Sequence, residues 1–347
     1  MKIVRLCVLG ALAIGLSADV QAASRLDSSV ARAAAGCQRL PRTCDTSCTP
    51  RGACAGDSCR GCGIYAGVEA TFLQPYNTSS GQIVFDNGTN RFAADGMTEF
   101  DTLDAAPRIW LGYQGQTWGL WGRYWAFDAE RFGESFDYVN DSNYRLVEAV
   151  SFLSAKTGDL EATRRFSFFQ WEGDLFLGAR WAELNKRDRM AVNAVSPGLQ
   201  TALQQTESLA SGAGLTFGFD GRRPIGCRGL ALKTSARGSV IWTKSTASAY
   251  NQYSDPGNFD AQLVRVSGDC ATLSIAEVQV GLEWARKLEC FRAEAFTHIV
   301  AEYQWWNTDG QVPFLLTQTV NGTTTSVCSM GSDTELVGLA WAIGFRR

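Results

Sequence analysis

The 347-residue chain has a single histidine, His298, and beyond its N-terminus it has no uninterrupted apolar run that would cross a bilayer as a helix. Such a crossing takes about 20 residues. Each absence excludes a class. Any Ser-His arrangement would have to use His298 as its base, and the sequence contains no Gly-x-Ser-x-Gly, phosphate-binding loop or His-Glu-x-x-His motif. Catalysis is therefore not expected. The formal net charge is −3, with no basic run of the kind that neutralises phosphates, so nucleic acid is excluded as a partner. A helical-bundle membrane protein is excluded too. If the chain is integral to a membrane it must be a closed barrel, because lipid offers no hydrogen-bond partner to an open strand edge. With 45% hydrophobic and 19% charged residues, the composition is neither disordered nor collagen-like and permits a large core.

The N-terminus carries Lys2 and Arg5, an apolar run from Leu6 to Ala18, then Val20-Gln21-Ala22-Ala23. This is the order of a secretory signal peptide, and about 13 apolar residues are too few to span a bilayer. Residues 1–23 are read as that signal, cleaved near Ala22 or Ala23, so the mature protein lies outside the cytoplasm.

Of eleven cysteines, Cys7 leaves with the signal and ten remain. Six, Cys37, Cys44, Cys48, Cys54, Cys59 and Cys62, crowd into residues 24–62 beside Pro41 and Pro50. That segment is too small to bury its own core and reads as a disulfide-stapled periplasmic extension. A metal site on Cys44-x3-Cys48 and Cys59-x2-Cys62 is the alternative, but no histidine lies nearby and only one pair is close. No metal or cofactor is expected. Cys227 and Cys290 fall in neighbouring short connectors and Cys270 and Cys328 in neighbouring long ones. Disulfides Cys227–Cys290 and Cys270–Cys328 are expected if their Cα atoms approach within about 7 Å.

From Gly63 onward, period-two alternation recurs. Ile64, Ala66, Val68, Ala70 and Phe72 share one face of the first run, with Tyr65, Gly67, Glu69 and Thr71 on the other. Leu175, Leu177, Ala179 and Trp181, then Ala213, Leu215, Phe217 and Phe219, then Val278, Val280, Leu282 and Trp284 repeat the pattern. So do Ala293, Ala295, Ile299, Ala301, Tyr303 and Trp305. Ten strands result, at about 63–74, 106–114, 118–127, 158–168, 171–185, 208–220, 230–243, 272–286, 291–305 and 334–346. Short connectors follow the second, fourth, sixth and eighth; connectors of about 20 to 30 residues follow the others. Segregated short turns and long loops, with both ends on the short-turn side, describe an up-and-down antiparallel transmembrane barrel over residues 63–347. The stretches 77–98 and 244–270, rich in Gly, Ser, Thr and Asn, are read as exposed loops.

Aromatic residues fall where membrane interfaces favour them. Tyr113, Trp118, Phe168, Trp171, Phe219, Trp284 and Phe345 lie toward the short-turn rim; Phe72, Tyr124, Trp181, Trp242 and Trp305 lie toward the other. Two details fit less well. Arg164 shares the oily face of Leu160, Ala162, Phe166 and Phe168, and the third strand has aromatics on both faces (Trp121 and Trp125 opposite Leu120 and Tyr124).

Five segments, Gly67-Val68-Glu69-Ala70-Thr71-Phe72-Leu73-Gln74-Pro75, Ala106-Pro107-Arg108-Ile109-Trp110-Leu111-Gly112-Tyr113, Arg123-Tyr124-Trp125-Ala126-Phe127-Asp128, Leu160-Glu161-Ala162-Thr163-Arg164-Arg165-Phe166 and Gly178-Ala179-Arg180-Trp181-Ala182-Glu183-Leu184, resemble the Legionella-type major outer-membrane pore-forming family in the form seen in planctomycete-like bacteria. The resemblance spans Gly63 to Arg347 and implies a porin-like barrel of the bacterial outer membrane, with no catalytic motif to carry over.

With the oily faces toward lipid, the lumen receives Arg108, Arg123, Arg165, Arg180 and Arg237 on one side and Glu277, Glu283, Glu294 and Glu302 on the other, with His298 between Glu294 and Glu302. One expectation is a water-filled constriction that sorts small hydrophilic solutes or ions by charge. The other is a salt-bridge lattice that holds a narrow, non-conducting barrel shut. The remaining expected partners are outer-membrane lipid and, through the long loops, a cell surface or a second copy.

Overall fold

The computed structural model describes residues 63–76, 81–86, 91–95, 102–133, 144–194, 201–225, 229–255, 258–288, 293–309, 314–320, 323–329 and 333–346. The signal, the Cys-rich segment, Cys227 and Cys290 lie outside these residues. Of Cys270 and Cys328 only the backbone is described, and both stand within strands, not in loops as expected.

The described residues form fourteen strands: β1 (Gly63–Tyr76), β2 (Gly81–Asp86), β3 (Arg91–Asp95), β4 (Asp104–Gln114), β5 (Trp118–Gly133), β6 (Tyr144–Phe168), β7 (Trp171–Ala194), β8 (Thr201–Pro224), β9 (Leu230–Asp255), β10 (Asn258–Leu288), β11 (Ala293–Asp309), β12 (Phe314–Val320), β13 (Thr323–Ser329) and β14 (Asp333–Arg346). Ten of them close into an antiparallel barrel in the order β1-β14-β11-β10-β9-β8-β7-β6-β5-β4. All ten lie where alternation places them. The other four form a separate sheet, β12-β13-β2-β3.

Barrel stagger follows from the register. From Glu69, the pairing path through β4 to β9 reaches Ala271 on β10. The path through β14 and β11 reaches Glu283 on that same strand, 12 residues further along. With standard strand spacings, this stagger over ten strands tilts them by about 40°.

The outward face is oily. Val68, Ile109, Leu120, Leu160, Leu177, Phe217, Val280, Ile299 and Ile343 are exposed there, with Tyr113, Trp118, Trp284 and Phe345 at the short-turn rim and Tyr124, Trp181 and Trp242 toward the other. Arg164 does face outward, and its position explains how the belt tolerates it. It pairs in register with Trp118 and places its guanidinium 5.5 Å from the centre of that ring, at the rim where a charged head reaches water. We expect Leu177→Arg, at a position 61% exposed in the middle of the belt, to destabilise the barrel. The cost should be about 2–4 kcal/mol by guanidinium unfolding in phospholipid vesicles, and a loss near zero would place Leu177 outside the bilayer.

The far rim differs from the expected long loops. Residues 244–270 are strand, and only residues 256 and 257 separate β9 from β10. β6 to β10 run 24 to 31 residues, against 11 for β4 and 14 for β1, so one side of the barrel stands far taller. The physical reason is compositional. Inward positions along upper β9 are Ser245, Ala247, Ala249 and Asn251, small or polar residues that give the alternation no oily contrast. The stretch 77–98 likewise holds β2 and β3, which join β12 and β13 in a sheet whose β13 lies against β8 and β9.

Candidate functional site

The lumen is filled in layers, and the register sets their order. Nearest the short-turn rim is an open vestibule lined by Gln114, Arg165, Asp174 and Lys233 among others. Above it, inward side chains of β1, β4, β5 and β11 build an aromatic layer. Tyr65 stacks on Trp121 (centroids 5.0 Å apart) and on Phe296 (5.6 Å), while His298 stacks near Phe296 (6.2 Å) and Trp110 (6.3 Å). Trp110 lies over Gly67, where a Cβ would collide with the indole, so this position takes no side chain.

Next comes the charged layer. Arg108 bridges Glu69 and Glu302, the latter at 2.5 Å. Arg123 donates to Asp159 (2.9 Å) and to Glu277 (3.0 Å). Arg180 donates to Asp159 (2.5 Å) and also meets Glu277. Arg237 spans Asp159 (2.9 Å) and Glu161 (2.5 Å). Glu302 also accepts from Gln279 (2.9 Å) and Gln304 (2.6 Å), and His298 Nε2 donates to Glu69 at 3.0 Å. Four arginines and five carboxylates thus share bonds across the barrel, most of them buried. Sharing satisfies fixed donors and acceptors that could not otherwise leave water.

Above the charges the lumen turns apolar. Leu73, Phe127, Leu153, Leu184, Ile241, Leu273, Trp306 and Leu336 are at most 2% exposed and form one cluster with several alanines. Nine of the ten barrel strands contribute to it. The exception, β8, presents Gly212 and Gly214 at this height. Trp125 joins the two layers, donating to Thr71 at 3.1 Å, and Trp306 donates to Gln304 at 3.0 Å. Higher still, the tall wall turns polar: Ser151 donates to Asp188 at 2.7 Å, and Lys186 is buried.

Sequence expectations for the lumen hold for face but not for grouping. Arg108, Arg123, Arg180, Arg237, Glu277 and Glu302 point inward and meet at the same height, and His298 points inward in the aromatic layer next to them. Arg165, Glu283 and Glu294 do not join them. Arg165 lines the vestibule, and Glu283 and Glu294 hold Arg346 at 2.9 and 2.6 Å near the rim. Opposed basic and acidic walls are also absent among the described residues, because Glu69 on β1 and Asp159 and Glu161 on β6 interleave acid with base. Those three carboxylates are the members the charge inventory missed. Parity shows them: Asp159 and Glu161 stand two residues apart on the face of Arg165, and Glu69 on that of Tyr65.

No protein-family model and no curated protein matches the chain. Among solved structures it is similar to the outer membrane protease OmpT from Escherichia coli, at 11% identity and a TM-score of 0.40, covering 82% of this chain and 96% of that one. It is also similar to the Pseudomonas putida toluene transporter TodX (8% identity, TM-score 0.28, 81% and 89% covered). A Pseudomonas aeruginosa FadL homologue matches at 9% identity and a TM-score of 0.24, with 82% and 90% covered. Values this low transfer no activity.

Proposed function

We propose that this chain is a bacterial outer-membrane β-barrel, exported by its N-terminal signal, with its short-turn rim in the periplasm and a lumen that does not conduct. It then serves as a structural or adhesive surface protein, in membrane lipid, through its tall outer wall and the adjoining sheet, and it is not an enzyme. The motifs that resemble the Legionella-type family belong to the same proposal.

The apolar layer carries this reading. A pore needs a continuous polar path, and buried Leu, Ile, Phe and Trp side chains from eight strands, with Ala106 from a ninth, interrupt it. Below that layer the charges are committed to one another instead of to a solute. His298, the one histidine, is bound to Glu69 inside the aromatic layer and has no serine or cysteine as a hydrogen-bond partner among the described residues.

The alternative is a porin-like passive channel for small hydrophilic solutes. Reconstitution into planar bilayers separates the two. We expect a detergent-stable, heat-modifiable barrel that gives no conductance steps. Reproducible steps whose charge selectivity changes with Arg108→Glu or Glu294→Lys would overturn the proposal in favour of the channel.

A further inference from the structure

At the short-turn mouth the barrel holds a cavity of about 400 Å³ lined by four cationic and four acidic side chains. Most are committed to each other. Lys233 reaches both oxygens of Asp220 at 2.8 and 2.7 Å, Arg346 holds Glu283 at 2.9 Å, and Arg222 holds Glu172 at 3.3 Å. Arg165 and Asp174 are not. They are direct register partners on β6 and β7 and line the same cavity, yet no hydrogen bond or ion pair joins them among the described residues. Asp174 Oδ1 is left without a partner among the described residues.

The inner wall of the cavity adds two donors. Gln114 is 7% exposed, and Thr163 Oγ1 donates to its Oε1 at 2.8 Å, which fixes the amide and leaves Nε2 without an acceptor among the described residues. This fit depends on Gly119, where a Cβ would run into both side chains. Trp121 Nε1 also lacks an acceptor among the described residues, and stacking on Tyr65 keeps the indole from turning to find one. A buried donor left unpaired costs about 1–3 kcal/mol. Two of them and a guanidinium on β4, β5 and β6, with a bare carboxylate oxygen on β7, form a preformed site that lacks its complement.

We propose that this vestibule binds a small amphoteric ligand, an amino acid or short peptide. Gln114 Nε2, Trp121 Nε1 and the Arg165 guanidinium take its carboxylate, and Asp174 takes its ammonium. A carboxylate accepts only, and so matches three donors; an ammonium donates only, and so matches Asp174. A lining with equal numbers of positive and negative groups also suits a ligand of no net charge better than a bare ion, which would leave one charge uncompensated. The site does not depend on whether the lumen conducts.

The test is isothermal titration calorimetry of the full chain in detergent micelles with dialanine, N-acetyl-dialanine, propylamine and inorganic phosphate as probes. Dialanine should bind saturably. N-acetyl-dialanine, which has lost the ammonium, should bind about tenfold more weakly, the worth of one charge-assisted hydrogen bond. Arg165→Gln should weaken dialanine by about the same factor. Asp174→Asn should weaken dialanine while leaving N-acetyl-dialanine unchanged, and heat-modifiable migration of each variant confirms a folded barrel. Absence of dialanine binding, equal affinity for dialanine and its N-acetyl form, or phosphate binding more tightly than dialanine would each overturn the proposal.

Discussion

Arg180→Met is expected to lower the unfolding free energy of the barrel by about 3–5 kcal/mol, the cost of leaving buried carboxylates without a partner. Arg180 is 1% exposed and holds Asp159 from one side and Glu277 from the other. Without it, Arg123 and Arg237 must serve Asp159, Glu161 and Glu277 between them. Urea unfolding in detergent, followed by tryptophan fluorescence, measures the loss. Adding Glu277→Gln to Arg180→Met should recover part of it, because the second change removes one of the stranded charges. Arg346→Ala provides the contrast: its partner Glu294 is partly exposed and Arg222 stays 3.8 Å from both Glu283 and Glu294, so a loss of about 1 kcal/mol or less is expected. Equal effects at Arg180 and Arg346 would mean that water reaches the charged layer.

Trp306→Ala should cost a similar amount, about 3–5 kcal/mol, for a different reason. The indole is fully buried in the apolar layer, 6.1 Å from the ring of Trp125, and its removal leaves a void that fixed strands cannot collapse into. The indole Nε1 donates to Gln304, whose Nε2 holds Glu302, so the loss also loosens the layer below. We nevertheless expect Trp306→Ala to stay silent in planar bilayers, because the arginine lattice still crosses the lumen. Conductance should appear only when both layers are opened, as in Trp306→Ala combined with Arg180→Met. Conductance from Trp306→Ala alone would show that the apolar layer is the whole barrier.

Alternation made the barrel legible. Ten runs with one oily face lie on ten barrel strands, because a bilayer demands an apolar exterior that a soluble protein need not display. The aromatic residues of the third run, which looked inconsistent, are where both faces need them: Trp121 and Trp125 pack the lumen while Leu120 and Tyr124 face out. The tall wall was illegible for the converse reason. Along upper β9 the inward positions are small or polar, as at Ser245, Ala247 and Asn251, so the alternation loses its contrast there, and exposed Phe259 and Leu263 on β10 stand too isolated to restore it. In the lumen, face was readable and partnership was not. Arg180 meets Asp159 as its direct register partner on the neighbouring strand, but that it also meets Glu277 across the barrel depends on the stagger of 12, which no single strand encodes.

The lattice also bears on how such a barrel comes together. Arg108 and Glu302 are 194 residues apart in the chain, and Arg123 and Glu277 are 154 apart. The β6–β7 hairpin brings Arg180 with Asp159, but Glu277 and Glu302 arrive only with β10 and β11, and β1 cannot pair with β14 until that strand has been made. Closure of the seam and completion of the charged lattice therefore become one late event. Contacts this distant in sequence slow folding, so this chain should depend on being held, unaggregated, until β14 arrives.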